Sequence, residues 1–130
     1  MSAVAAIALS GLAAATRRVE ASASNIANQS SYGAMPGEDG PAVYAPLEVQ
    51  LAAQPSGGVS ATLAPSSRAA LLAYDPQSSF ANAKGYLATP AVDLTDEMIN
   101  LAIASYDFAA NLAVIRTADD MTKAVLEIRA

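Results

Sequence analysis

Proline and glycine cut this chain of 130 residues into three parts: all seven prolines and six of the seven glycines lie between Gln29 and Pro90. Proline removes a backbone donor and clashes with the preceding turn, and glycine forfeits backbone entropy inside a helix. Their absence from 91–130 and, apart from Gly11, from 1–28 predicts a helix at each end, and their crowding predicts a non-helical middle over 29–90. The expected architecture is mainly α, with long N- and C-terminal helices that together form one helical domain and a small β-hairpin and loop region between them. At the usual rise the two helices would run about 40 Å and 50 Å, longer than a small globular domain needs.

The spacing of apolar residues shows what these helices are for. Leu9, Leu12, Thr16, Val19, Ala23 and Ile26 recur at alternating intervals of three and four, and so do Leu94, Met98, Leu101, Ser105, Phe108, Leu112 and Ile115. Each set is a stripe on one helix face, a surface that seeks a partner. Val114, Ala118, Met121, Val125 and Ile128 form a second stripe, so the closing helix can touch more than one neighbour. The candidate interface residues are therefore Leu9, Leu12, Val19, Ile26, Met98, Leu101, Phe108, Leu112, Ile115, Met121 and Val125. Asn25 and Asn28 join them as register pins on one face, with helix termination as the plain alternative, because Asn competes with the backbone near helix ends.

In the middle, Leu47, Val49 and Leu51 alternate with polar residues, Pro55 to Gly58 intervene, and Val59, Ala61 and Leu63 alternate again, which predicts a β-hairpin. Two strands alone are marginal, so the hairpin should lean on the helices, on a further short strand near Leu71 to Tyr74, or on another subunit. Tyr74 and Tyr86 are expected to pack as core anchors between the middle and the helices. The stretch from Tyr32 to Pro46 reads as loop.

Composition narrows the function. No His or Cys is present, which removes Ser/His/Asp and Cys/His nucleophiles, cysteine-based zinc sites and disulfides. Thirty-two residues are Ala and only Phe80, Phe108 and five Tyr are aromatic, so the apolar fraction consists largely of methyl groups that bury little area each. A self-sufficient core is not expected. The net charge of −5, with no basic cluster larger than Arg17 and Arg18, argues against nucleic acid. Every long apolar run is broken by charge, Pro or Gly, so direct membrane insertion is not expected. The apolar opening from Met1 to Thr16 has its positive charge after it rather than before, unlike a cleaved leader. Acid-rich polar faces also disfavour a membrane-surface helix.

Asp93, Asp96 and Glu97, or Asp119 and Asp120, offer carboxylates for a metal, but acids at a helix start or side by side on a helix are accounted for by the helix dipole and by solvation. No phosphate-binding glycine motif occurs, and Gly57 and Gly58 fit a hairpin turn. Neither catalysis nor a cofactor is expected. Arg17 and Arg18 are expected to be solvated, with Asp107 or Asp120 as alternative partners.

Particular residues point further. Ser10, Gly11 and Leu12, then Asn25, Ile26, Ala27 and Asn28, resemble the opening Ser-Gly-Leu and Asn-Ile-Ala-Asn signature of flagellar rod and hook axial proteins. Val92, Asp93 and Leu94, then Glu97, Met98, Ile99 and Asn100, are similar to the same family's closing helix, with its Glu-Met-Val-Asn pattern. Tyr74, Asp75 and Pro76, followed by Gly85 and Tyr86, resemble the middle motif of the short proximal-rod members. Ala91 stands where the family usually has Asn, and the basic stretch often found after Asp39, Gly40 and Pro41 is missing. The resemblance implies a structural subunit of the bacterial flagellar basal-body rod. Such a subunit is exported through the flagellar export apparatus without a cleaved leader and polymerises helically across the periplasm. Its terminal helices would pair as an antiparallel coiled coil lining the tube. Its partners would be copies of itself, other rod proteins and the membrane-ring base. The alternative is a generic helical-hairpin binding module or secreted adaptor.

Overall fold

The computed structural model describes residues 3–68 and 70–128. Helix α1 (Ala3–Asn28) is followed by strands β1 (Leu47–Ala53), β2 (Val59–Pro65), β3 (Leu71–Tyr74) and β4 (Tyr86–Thr89), and by helix α2 (Leu94–Ile128). Two long helices at the ends and a small antiparallel β region between them agree with the sequence pattern. Asp93 caps α2 by accepting hydrogen bonds from the Thr95 and Asp96 amides at 2.8 and 3.3 Å, and Asp96 and Glu97 occupy the first turn, where the helix dipole favours anions. At the end of α1 the Asn28 carboxamide turns back to donate to the Ser24 carbonyl, while the backbone carbonyl of Asn28 accepts from the Ser31 amide and hydroxyl.

β1 and β2 pair from Leu47 opposite Pro65 to Ala53 opposite Val59. The turn between them needs positive φ at Gly57 (88°) and Gly58 (84°), which side chains other than glycine's adopt at a cost. This hairpin lies along α1. The Val59 amide donates to Ser10 Oγ at one end, and the Leu47 amide donates to Asn25 Oδ1 at the other. The seven-residue strands span about 20 Å and the sixteen helical residues from Ser10 to Asn25 about 23 Å, so the two elements are similar in length. Ala14 and Ala21, both buried, sit on the hairpin side of α1, where small side chains allow the strands to approach.

The strand near Leu71 does not support that hairpin. It pairs instead with β4, which starts at the Tyr of the Gly85-Tyr86 motif. Ala88 of β4 also exchanges backbone hydrogen bonds with Gly33, both 3.0 Å, so the loop-like 32–46 segment is pinned to this second sheet. Leu87 and Ala88 are fully buried there. Tyr74 and Tyr86 do not anchor the middle to the helices as expected. The register places them opposite each other at the end of the sheet closed by the 75–85 loop, where their rings meet edge to face at 5.3 Å and both stay exposed.

Candidate functional site

The two helices run antiparallel, since their contacts descend α2 as they ascend α1: Gly11 abuts Asn111, Arg18 meets Asp107, and Asn25 meets Glu97. A side chain at Gly11 would fall on the Asn111 carboxamide, so this glycine sets how closely the helices approach. On the same face of α1, Ala8, Ala15 and Ser22 are buried, and on α2 Ala104 is fully buried. The inner surface of the pair is thus built from small and polar residues.

Two polar contacts close it. Arg18 Nη1 donates to Asp107 Oδ2 at 2.7 Å, an interhelical pair where solvation had been the expectation for Arg18; Arg17 instead pairs with Glu20 on its own helix. Asn25, 2 % exposed, is the hub of the molecule. Its Nδ2 donates to the Leu47 carbonyl and to Glu97 Oε1, and its Oδ1 accepts from the Leu47 amide and the Tyr44 hydroxyl. One carboxamide therefore ties α1 to the hairpin, the preceding loop and α2. Its side chain is spent inside the chain, and that of Asn28 is spent on the Ser24 carbonyl.

The apolar stripes read from the sequence lie beside this inner face. On α1 the inner positions are 8, 11, 15, 18, 22 and 25, each one residue before a member of the stripe 9, 12, 16, 19, 23 and 26. A shift of one residue turns a helix by about 100°. Leu9 and Val19 are consequently exposed, with Leu12 and Ile26 half-buried. On α2, Leu101, Leu112 and Ile115 are half-buried at the edge of the pair, whereas Met98 (61 %), Phe108 (43 %), Met121 (66 %) and Val125 (58 %) are exposed. The small-residue face was missed because alanine and glycine add little to an apolar pattern; the recurrence of Ala8, Gly11, Ala15 and Ser22 was the available signal.

The register also leaves α2 overhanging. Residues 3–10 of α1 lie beyond Gly11 and match 112–119 on α2, so 120–128 project about 13 Å past the first described residue of α1. On this tip Lys123 donates to Asp119 at 2.6 Å. That hydrogen bond, then the carboxylate charge, hold the ammonium above the ordinary lysine value, though both groups are exposed. Among the described residues α2 is the one helix long and apolar enough to cross a membrane by length and composition. Its apolar run 98–115 contains Asp107, which is committed to Arg18.

Sequence relatives agree with this geometry. The family described as "Flagellar basal body rod FlgEFG protein C-terminal" matches residues 83–128. The flagellar basal-body rod protein FlgC of Salmonella typhimurium is 37 % identical over 117 residues, covering 88 % of this chain and 87 % of that protein. FlgC of Yersinia enterocolitica is 40 % identical over 116 residues, covering 85 % of this chain and 84 % of its own length. The chain belongs to the FlgC family of flagellar basal-body rod proteins. A shorter match, 37 % over 57 residues, reaches FlgC of Bacillus subtilis. These relatives are named for a structure and not for a reaction. In this FlgC-family chain, the motifs that carried the resemblance sit in the helix pair and in the β3–β4 sheet: Ser10 and Asn25 hold the hairpin, Glu97 meets Asn25, and Tyr74 meets Tyr86.

Proposed function

We propose that this chain is a structural subunit of the bacterial flagellar basal-body rod, joined to its neighbours through the outer faces of its terminal helices. One observation carries the reading: small and polar residues fill the contact within the chain, and many large apolar side chains of the same helices, Leu9, Val19, Met98, Phe108, Met121 and Val125 among them, stand exposed. Leaving so many apolar groups wet forgoes about 1.5–3 kcal/mol for each side chain that burial would recover. A helical polymer provides that burial. In it the pair acts as an antiparallel coiled coil on the inside of the tube, and the β1–β2 hairpin and β3–β4 sheet form a small outer feature.

The direct contacts are assigned to Leu9, Leu12, Val19 and Ile26 on α1 and to Met98, Leu101, Phe108, Leu112, Ile115, Met121 and Val125 on α2. Asn25 and Asn28 act from within, Asn25 by fixing the angle of the hairpin to the pair. The partners are copies of this chain, other rod proteins and the membrane-ring base, reached after passage through the flagellar export apparatus, and the assembled rod spans the periplasm. The role needs no catalysis and no cofactor. Packing of α2 against protein rather than lipid follows from Asp107, whose charge would be costly in hydrocarbon without Arg18.

Complementation of a strain lacking its own copy tests the reading. Leu9→Asp and Met98→Asp, both at exposed positions, should each abolish incorporation into basal bodies while the purified chain keeps its helical content. Normal incorporation of both variants would contradict it.

A further inference from the structure

We propose that Tyr74 and Tyr86 form an oxidative modification site, at which a one-electron oxidant of phenols, a haem peroxidase supplied with hydrogen peroxide, joins the two rings into a dityrosine within one chain. The site lies in the β3–β4 sheet, away from the helix pair, and does not depend on the subunit reading. Its basis is the strand register, which sets Tyr74 opposite Tyr86. The Asp75 amide donates to the Gly85 carbonyl at 3.0 Å, so 75–85 is a hydrogen-bonded pair and 74–86 is the neighbouring non-bonded one. Non-bonded pairs bring facing side chains closest.

The loop fixes one ring and leaves both open. Gly85, with a φ of 81°, provides the space against which Cε2 and Cζ of Tyr74 pack, and Pro76 lies beside them. Tyr74 is nevertheless 66 % exposed and Tyr86 41 %, so an oxidant in solution reaches both phenols. Ring centroids 5.3 Å apart put the ring edges in van der Waals reach, and a turn about the exposed side-chain torsions brings two Cε carbons together. The other three tyrosines have no such neighbour among the described residues. Tyr44 is half-buried with its hydroxyl on Ser24 and Asn25, Tyr106 is the one tyrosine of α2, and Tyr32 precedes Gly33, whose bridge to Ala88 places it toward the far end of β4.

The step balances. Oxidation removes one hydrogen atom from each phenol, and the two phenoxyl radicals pair as a carbon–carbon bond between Cε positions ortho to the hydroxyls. Each ring then passes its ortho hydrogen through solvent to its own oxygen, and the peroxide ends as two waters. The product ties β3 to β4 and closes the 75–85 loop covalently, which removes open conformations from the unfolded chain.

The sequence makes the test direct, because trypsin separates Tyr74 from Tyr86 at Lys84. Dilute full-length chain is treated with a haem peroxidase and hydrogen peroxide, with free tyrosine as a parallel control of the oxidant. The expected product is a monomer with dityrosine fluorescence that yields a joined peptide of 69–84 and 85–116, two hydrogens lighter than its parts, with fragmentation placing the bond at Tyr86 and not at Tyr106. Tyr74→Phe and Tyr86→Phe should each lower monomer dityrosine by about tenfold or more, because rings held together couple at a high effective concentration. Tyr106→Phe should leave it unchanged, and circular dichroism checks that each variant is folded. Dityrosine confined to dimers, or surviving in both the Tyr74→Phe and Tyr86→Phe chains, would overturn the proposal. So would a monomer without dityrosine under conditions that couple free tyrosine, and either result leaves the subunit reading standing.

Discussion

The two helices share a sheath of alanine and leucine but are used differently. α1, with 26 residues, buries Ala8, Ala14, Ala15, Ala21, Ser22 and Asn25, because α2 covers one side and the hairpin an adjacent one. α2, with 35 residues, buries Ala104 alone. Two elements packed on α1 demand small side chains, and the sequence supplies them; α2 has one partner inside the chain and keeps its large side chains for others. α1 is the spine of the monomer, and α2 is the arm through which the assembly is proposed to form.

Substitutions at the hub should break this contrast most strongly. Asn25→Leu leaves the Leu47 amide and carbonyl without their side-chain partner and should lower stability by about 3 kcal/mol in urea unfolding, since each stranded buried polar group costs about 1–3 kcal/mol. A loss no larger than that of a surface substitution would show that α1 is not the spine. Next comes Gly11→Ala, whose methyl group meets Asn111; overpacking should cost about 2 kcal/mol. Pairing it with Asn111→Ala should recover about 1 kcal/mol in a double-mutant cycle, and strict additivity would mean that the two residues do not set the interhelical distance.

Smaller effects sharpen the picture. Arg18 and Asp107 are a third to a half exposed, so their coupling in a cycle of alanine variants should reach only about 0.5 kcal/mol and fall with added salt. On the arm, Met98→Ser and Val125→Ser should change monomer stability by no more than about 0.5 kcal/mol, as is usual for exposed sites, yet impair sedimentation of the polymer. Substantial destabilisation of the monomer by either would place those side chains in an internal core.

What the sequence disclosed follows from which interactions leave a pattern. Ends free of Pro and, apart from Gly11, of Gly marked both helices, and Asp93 before Asp96 and Glu97 marked where α2 starts. The alternation around Leu47 and Val59 marked the hairpin. β4 was hidden because Tyr-Leu-Ala-Thr is four residues long with both Leu87 and Ala88 buried, so no alternation shows. The inner seam was hidden because Ala8, Gly11 and Ala15 act through what they lack. The stripe of larger residues one position away was the visible one, and inside the monomer it runs from half-buried at Leu12, Ile26, Leu101 and Leu112 to exposed at Leu9, Val19, Met98 and Phe108. Pairing of Arg18 with Asp107 depends on the antiparallel register, which spacing within one helix cannot fix.

Oxidation of methionine in the isolated chain and in assembled rods tests the central claim most directly, because Met98 and Met121 stand on the open face of α2 and Met35 lies in the middle region as a reference. The account predicts that Met98 and Met121 oxidise readily in the monomer and slow by about tenfold or more on assembly, as burial withholds the thioether from oxidant, while Met35 changes less. Equal rates at Met98 and Met121 in the free and assembled states would contradict it.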